Sequence, residues 1–229
     1  SKTPRRLYID YLIPLPPETV AADIDPWPGG LAQMYPYAEQ IITDVLSGVV
    51  EDPGNLSSQI LSPQDCCGFF VQESKASPER DVAAILFPSV DQLEKIDEID
   101  RMVGKDRTLL IFNRQFKRPE DFGFRKKDRS QQVVFDRFEW GFAFQEFACR
   151  GEDVKLNFEL GHGGWKSCVI CDEDVDAGAK EFALLEPSFD RPVYEDLERR
   201  INKVLPEPLW MRKMGEAETK GLKFQRGKK

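Results

Sequence analysis

The sequence predicts an α/β fold: a doubly wound, mostly parallel sheet extended by an antiparallel three-stranded meander. Three observations predict it. Residues 82–113 read as strand, capped helix, strand, which is the pattern of a βαβ unit. Residues 31–49 carry apolar side chains at helical spacing, enough to cover a second sheet face. Residues 140–171 hold three segments of period two joined by short turns, and such segments pair as a meander.

Each element follows from local chemistry. Leu7 to Ile13 is apolar and β-branched enough for a first strand, and the Pro14-Leu-Pro-Pro17 run ends it because proline donates nothing to a ladder. After Asp25-Pro-Trp-Pro-Gly-Gly30, the series Leu31, Met34, Tyr35, Ala38, Ile41, Ile42, Val45, Leu46 and Val49 forms one helical face. Pro36 either kinks that helix or opens its regular part. Residues 51–65 are rich in turn formers, and Cys66 to Val71 reads as a short buried strand.

Val82 to Phe87 is a continuous apolar run, as expected for a strand covered on both faces. Ser89 followed by Gln92 is a capping-box signature, and Leu93, Ile96, Ile99 and Val103 then share one helix face. Asp97, Glu98 and Asp100 are expected on the solvent side of that helix. Thr108 to Phe112 is the next buried strand. Residues 117–129 read as basic and irregular. Then come the meander strands Trp140 to Ala148, Val154 to Leu160 and Trp165 to Cys171, and a helix after Asp190 presenting Val193, Leu197, Ile201, Val204 and Leu205. One domain is expected over residues 1–205, with a basic arm over 206–229.

Composition narrows the function. The 229 residues carry a formal charge of −8, a field that repels phosphate backbones, so no nucleic-acid partner is expected. From Pro206 onward, seven Lys/Arg face three Glu, so the arm is cationic and the body more acidic still. Five Cys is an odd count in a chain large enough to fold without staples, which points to reduced thiols. No apolar run approaches the roughly 20 residues of a membrane-spanning helix.

The chemical motifs are incomplete. Gly29-Gly30 precedes a helix, but the spacing matches neither dinucleotide nor P-loop fingerprints. Cys168-x-x-Cys171 lies inside a strand, where side chains three apart point to opposite faces. Asp172 to Asp176 lacks the glycine and the final glutamate of a calcium loop and reads as an acidic turn. His162 is the only histidine, so a triad or a three-histidine zinc site cannot form around it. No catalytic, cofactor-binding or metal-ligating residues are assigned, and no enzyme activity is expected.

Several segments together carry a resemblance. They are Asp25-Pro-Trp-Pro-Gly-Gly30, Asp65-Cys-Cys-Gly-Phe69, Ala84-Ile-Leu-Phe-Pro88, Leu110-Ile-Phe-Asn113, Asp121-Phe-Gly-Phe124, Gly163-Gly-Trp165 and Arg191-Pro-Val-Tyr-Glu-Asp-Leu197. In this order the chain resembles a plastid and cyanobacterial family of unknown biochemical activity, which includes the low-photosystem-II-accumulation assembly factors of chloroplasts. The resemblance spans residues 7–205 and departs at His162, where the family is expected to carry proline or another residue.

It implies a nuclear-encoded plastid protein, its presequence removed, in the stroma or at the stromal face of the thylakoid. Its role would be that of an accessory or assembly protein docking on photosystem or light-harvesting subunits, with no cofactor of its own. The expected docking residues are Trp27, Gly29 and Gly30 in the first motif, Lys126 and Lys127 in the basic loop, and Leu209, Trp210, Met211, Arg212 and Lys213 in the arm. Peripheral association with the membrane through the arm's cations is compatible with this. Two alternatives stay open: a nucleotide- or small-molecule-binding enzyme using the crevice near Pro14, Pro88-Ser89 and Asn113-Arg114, and a pigment held by His162.

Overall fold

The structure, a computed structural model, describes residues 5–15, 27–174, 179–212 and 214. Nine strands form one mixed sheet in the order β2-β3-β4-β5-β1-β6-β7-β8-β9. They are β1 (Arg6–Asp10), β2 (Pro53–Ser62), β3 (Cys67–Ser74), β4 (Val82–Leu86), β5 (Thr108–Phe112), β6 (Glu139–Cys149), β7 (Glu152–Glu159), β8 (Lys166–Asp174) and β9 (Ala179–Leu184). The helices are α1 (Gly30–Val49), α2 (Leu93–Val103), α3 (Lys127–Ser130) and α4 (Tyr194–Val204). Contacts divide the chain into two compact units, residues 1–143 and 144–229.

The expected βαβ unit is present. β4 pairs parallel to β5 in register from Val82↔Thr108 to Leu86↔Phe112, and α2 connects them. β1 pairs parallel to β5 on one side and to β6 on the other. Helices cover both faces of this layer. On one face, Ala38, Ile42 and Leu46 of α1 pack on Phe70, Ala84, Leu86, Leu110 and Phe112. On the other, Leu93, Ile96, Ile99 and Val103 of α2 pack on Phe69, Ala83, Ile85, Leu109 and Ile111. Alternation along each strand divides its apolar residues between the two layers, which is why these runs are continuously hydrophobic.

The sheet corrects the expected mostly parallel arrangement: its strand pairs are mostly antiparallel, with the parallel ones grouped around β1, β4, β5 and β6. Two strands escaped the sequence reading. Residues 53–62, expected as turns, form β2, which pairs antiparallel with β3. Its Pro53 and Gly54 sit at the start of an edge strand, where a missing N–H costs no ladder bond. β3 is antiparallel to β4 as well. The meander has four strands, because residues 179–184 add β9 beside β8. Asp172 to Asp174 therefore lie in β8 rather than in an acidic turn.

α1 includes Pro36 within its span, early enough that the lost N–H bond leaves most of the helix intact. The capping box at Ser89 is formed: its hydroxyl accepts from Asp91 N–H at 3.2 Å, and Gln92 Oε1 accepts from Ser89 N–H at 2.7 Å. It opens a 3-10 turn that runs into α2.

Asp97 corrects a second expectation. It is buried, at 4% exposure, and accepts hydrogen bonds from Arg129 at 2.5 Å and Arg137 at 3.0 Å, with Arg101 at 3.4 Å. Asp100 accepts from Arg137 at 2.7 Å and from Arg6. The segment between β5 and β6 runs beside α2 and brings Arg129 and Arg137, so Asp97 and Asp100 face cations rather than open solvent. Phe116, just before the basic segment, and Phe122 within it belong to the same core layer, while Phe124 is 98% exposed.

In the second unit, β7 alternates as expected through Val154 and Leu156, which are buried, but Leu160 lies beyond the strand and is exposed. Leu197 and Ile201 of α4 are buried, whereas Val193 and Val204 are exposed. The turn before β8 depends on Gly164: φ is +92° there, and a Cβ would stand 2.5 Å from the Ser188 carbonyl oxygen. That close approach lets Trp165 and Ser188 exchange two backbone hydrogen bonds, at 2.7 and 3.0 Å.

Candidate functional site

Ligands of open α/β sheets bind at the carboxyl ends of the parallel strands. Strands β4 and β5 each end on a left-handed residue, Phe87 at φ +51° and Asn113 at φ +46°. Such a conformation costs a bulky residue roughly 1–2 kcal/mol. For Phe87 the cost is offset by full burial of its ring in the α1 layer. The polar groups at this end are engaged with the scaffold. Asn113 Nδ2 donates to the Tyr11 carbonyl at 2.9 Å, and Asn113 Oδ1 accepts from Tyr11 N–H at 3.0 Å. Gln92 Nε2 donates to Asp65 at 2.7 Å.

Arg114 is the exception. Its guanidinium lies 3.9 Å over the Tyr8 ring and 4.6 Å over the Trp140 ring, and its Nη1 is buried with no hydrogen-bond partner among the described residues. Burial pushes the Tyr8 hydroxyl well above its ordinary pKa, although the Arg114 charge pulls the other way. The Tyr8 hydroxyl thus stays protonated and donates to the Val134 carbonyl at 2.9 Å.

Cys66 and Cys67 lie at the same end but differ in access. Burial, and then the charge of Asp65, pushes the Cys67 thiol up to about 12, while Cys66 is partly exposed. At pH 8 the Cys67 thiolate is scarce by about three orders of magnitude relative to an ordinary thiol, so iodoacetamide labels Cys66 and spares Cys67 in the native protein. Tandem mass spectrometry of the peptide spanning both reads this directly; equal labelling would show that Cys67 is not protected.

The residues expected to dock fall in different places. Trp27 packs against the α1 layer and sets its ring edge-on to Tyr37, with centroids 5.3 Å apart. Gly29 N–H is capped by Gln33 Oε1 at 2.9 Å, and Gly30 N–H donates to the Trp27 carbonyl, so this pair forms a helix-entry turn. Lys126 is exposed, and Lys127 pairs with Glu120 at 2.8 Å. Residues 209–212 make a helical turn in which Trp210 and Met211 are exposed and Leu209 sits above Gly151. Arg212 turns inward to Glu152, while Lys213 lies outside the described residues. His162 is exposed, with Nδ1 3.2 Å from Glu159. Among the described residues, no three His, Cys, Asp or Glu side chains cluster as metal ligands, and no helix is long and apolar enough to cross a membrane.

The residues that sequence reasoning missed lie on β9. Register places Phe182 opposite Ile170 and Leu184 opposite Cys168, and Cys168 opposite Lys155. Facing residues share a sheet face, so these point away from the side occupied by buried Val154, Leu156 and Val169. The Lys155–Glu146 ion pair puts Glu146 on this outer face, and alternation adds Phe144. The result is an outer face on which Ile170 and Cys168 of β8 and Phe182 and Leu184 of β9 form an apolar strip beside the Lys155–Glu146 pair, with Phe182 58% and Leu184 73% exposed. The signal in the sequence was Phe182-Ala-Leu-Leu185, apolar at both parities, which marks a strand with two apolar faces. No protein-family model matches the chain, and no curated protein matches its sequence.

Proposed function

We propose that the protein is a non-catalytic accessory or assembly factor that docks on a photosystem or light-harvesting subunit at a plastid thylakoid, and that the outer face of β6–β9 is its contact surface. The observation that carries the docking part is the exposed pair Phe182 and Leu184 on the edge strand β9. An edge strand offers unpaired N–H and C=O groups to an added strand, and apolar side chains beside it supply the burial that makes the addition hold. The occupant is an extended apolar segment of the partner protein, lying along β9 with its side chains on Phe182 and Leu184. The photosynthetic part rests on the ordered resemblance over residues 7–205. Pull-down from detergent-solubilised thylakoids with the intact chain, scored for photosystem and antenna subunits, tests it; failure to retain any of them overturns the reading.

A second reading is favoured by one feature, the Nη1 of Arg114 at the strand ends, buried and without a hydrogen-bond partner among the described residues. In this reading the crevice at the carboxyl ends of the parallel strands takes a nucleotide, with Arg114 meeting a phosphate. A thermal-shift panel of nucleotides separates the two: a ligand at 100 times its dissociation constant adds about 2.7 kcal/mol of stability. A flat panel removes the nucleotide reading.

A further inference from the structure

We propose that a groove on the α1 face, at the amino ends of β1, β4 and β5, binds an amphipathic small molecule: an apolar chain bearing a cationic head. The groove lies wholly within the first unit and encloses about 1000 Å³, at the upper end of the roughly 300–1,000 Å³ of ligand pockets. Its floor is Leu7 and Ile9 of β1, Val82 of β4 and Leu110 of β5, and its wall is Val45 and Val49 of α1. α1 seats its buried side chains over β3, β4 and β5, so the β1 floor is left only partly covered. Val49 is accordingly 56% exposed, an aliphatic side chain facing open space at the edge of an apolar floor.

The rim selects the charge. Its two cations are already matched, Arg80 to Glu51 and Arg5 to Glu139 at 3.3 Å. Three rim carboxylates, Glu79, Asp81 and Asp106, have no cationic partner among the described residues. The Ser77 hydroxyl donates to Glu79 at 2.6 Å and holds its carboxyl below the ordinary range, so it is charged at neutral pH. Asp81 accepts from Ser74 N–H at 2.8 Å. An apolar floor with surplus negative charge at its mouth favours an aliphatic cation over an aliphatic anion of the same length. This is independent of the docking residues Phe182 and Leu184, which belong to the other unit.

The test uses decyltrimethylammonium, decanoate and decanol below their micellar concentrations, with the full chain. The expected result is saturable one-to-one binding of decyltrimethylammonium, at least tenfold tighter than decanoate, with methyl shifts at Leu7, Ile9 and Val49 in the unmodified protein. Val49→Trp, at an exposed position, is expected to weaken that binding at least tenfold. Glu79→Gln with Asp106→Asn is expected to bring the cation's affinity down toward that of decanol. Absence of saturable cation binding, preference for decanoate, or methyl shifts elsewhere would each overturn the proposal.

Discussion

Replacing Phe182 and Leu184 together by threonine is expected to reduce recovery of photosystem or antenna subunits in the pull-down by roughly 30-fold or more. The two side chains are more than half exposed in the free protein, so docking has most of their apolar surface still to bury. Burying a Phe or Leu side chain fully is worth about 1.5–3 kcal/mol, and the remaining share for the pair comes to about 2–3 kcal/mol. Threonine keeps the β-propensity of the edge strand and removes the apolar contact. Stability should therefore stay within about 1 kcal/mol of the parent by urea unfolding. A variant that retains the subunits as well as the parent does would place the contact surface elsewhere, even if the pull-down itself succeeds.

Arg212→Met is expected to cost about 3–5 kcal/mol of unfolding free energy at neutral pH. Glu152 is 1% exposed, and both its carboxylate oxygens accept from Arg212 Nη2, at 2.7 and 2.6 Å. Removing the guanidinium leaves a buried carboxylate without its charge partner, which is far more costly than losing a surface pair. Replacing both residues, Arg212→Met with Glu152→Leu, should recover most of the loss because no uncompensated charge remains. Urea denaturation of the three chains reads the difference. A loss below 1 kcal/mol for the single variant would mean that the pair is solvated in solution. Arg150 reinforces the same junction by donating to the Leu205 and Pro206 carbonyls, at 3.0 and 3.3 Å. The first residues of the arm are thus part of the second unit, and Arg212 is a structural anchor whose charge is already matched.

Residues 82–113 show how far local pattern reaches. An apolar run, a Ser-x-x-Gln cap and a helix face at three-and-four spacing name the partners of their own layer, because burial on both sides leaves the strand no polar positions. Residues 53–62 show where it stops. Pro, Gly, Asn and Ser are turn formers on average, yet here they build an edge strand whose outer side needs neither donors nor apolar packing. β9 was missed for a related reason, since the acidic stretch before it reads as a loop until its pairing with β8 is seen. Asp97 looked solvent-facing because its helix has a clean apolar face, and nothing along the helix announces the arginines that arrive from residues 129 and 137.

The sequence by itself determined the apolar face of α2, the buried parallel strands β4 and β5, and the capping box. All of these depend on neighbours within a few residues, where side-chain chemistry and backbone period act directly. Only the tertiary structure decided which strands run antiparallel, which charges are paired, and which apolar side chains are left uncovered. Those outcomes depend on which distant segment lies alongside, and the spacing of residues along one element carries no record of its neighbour.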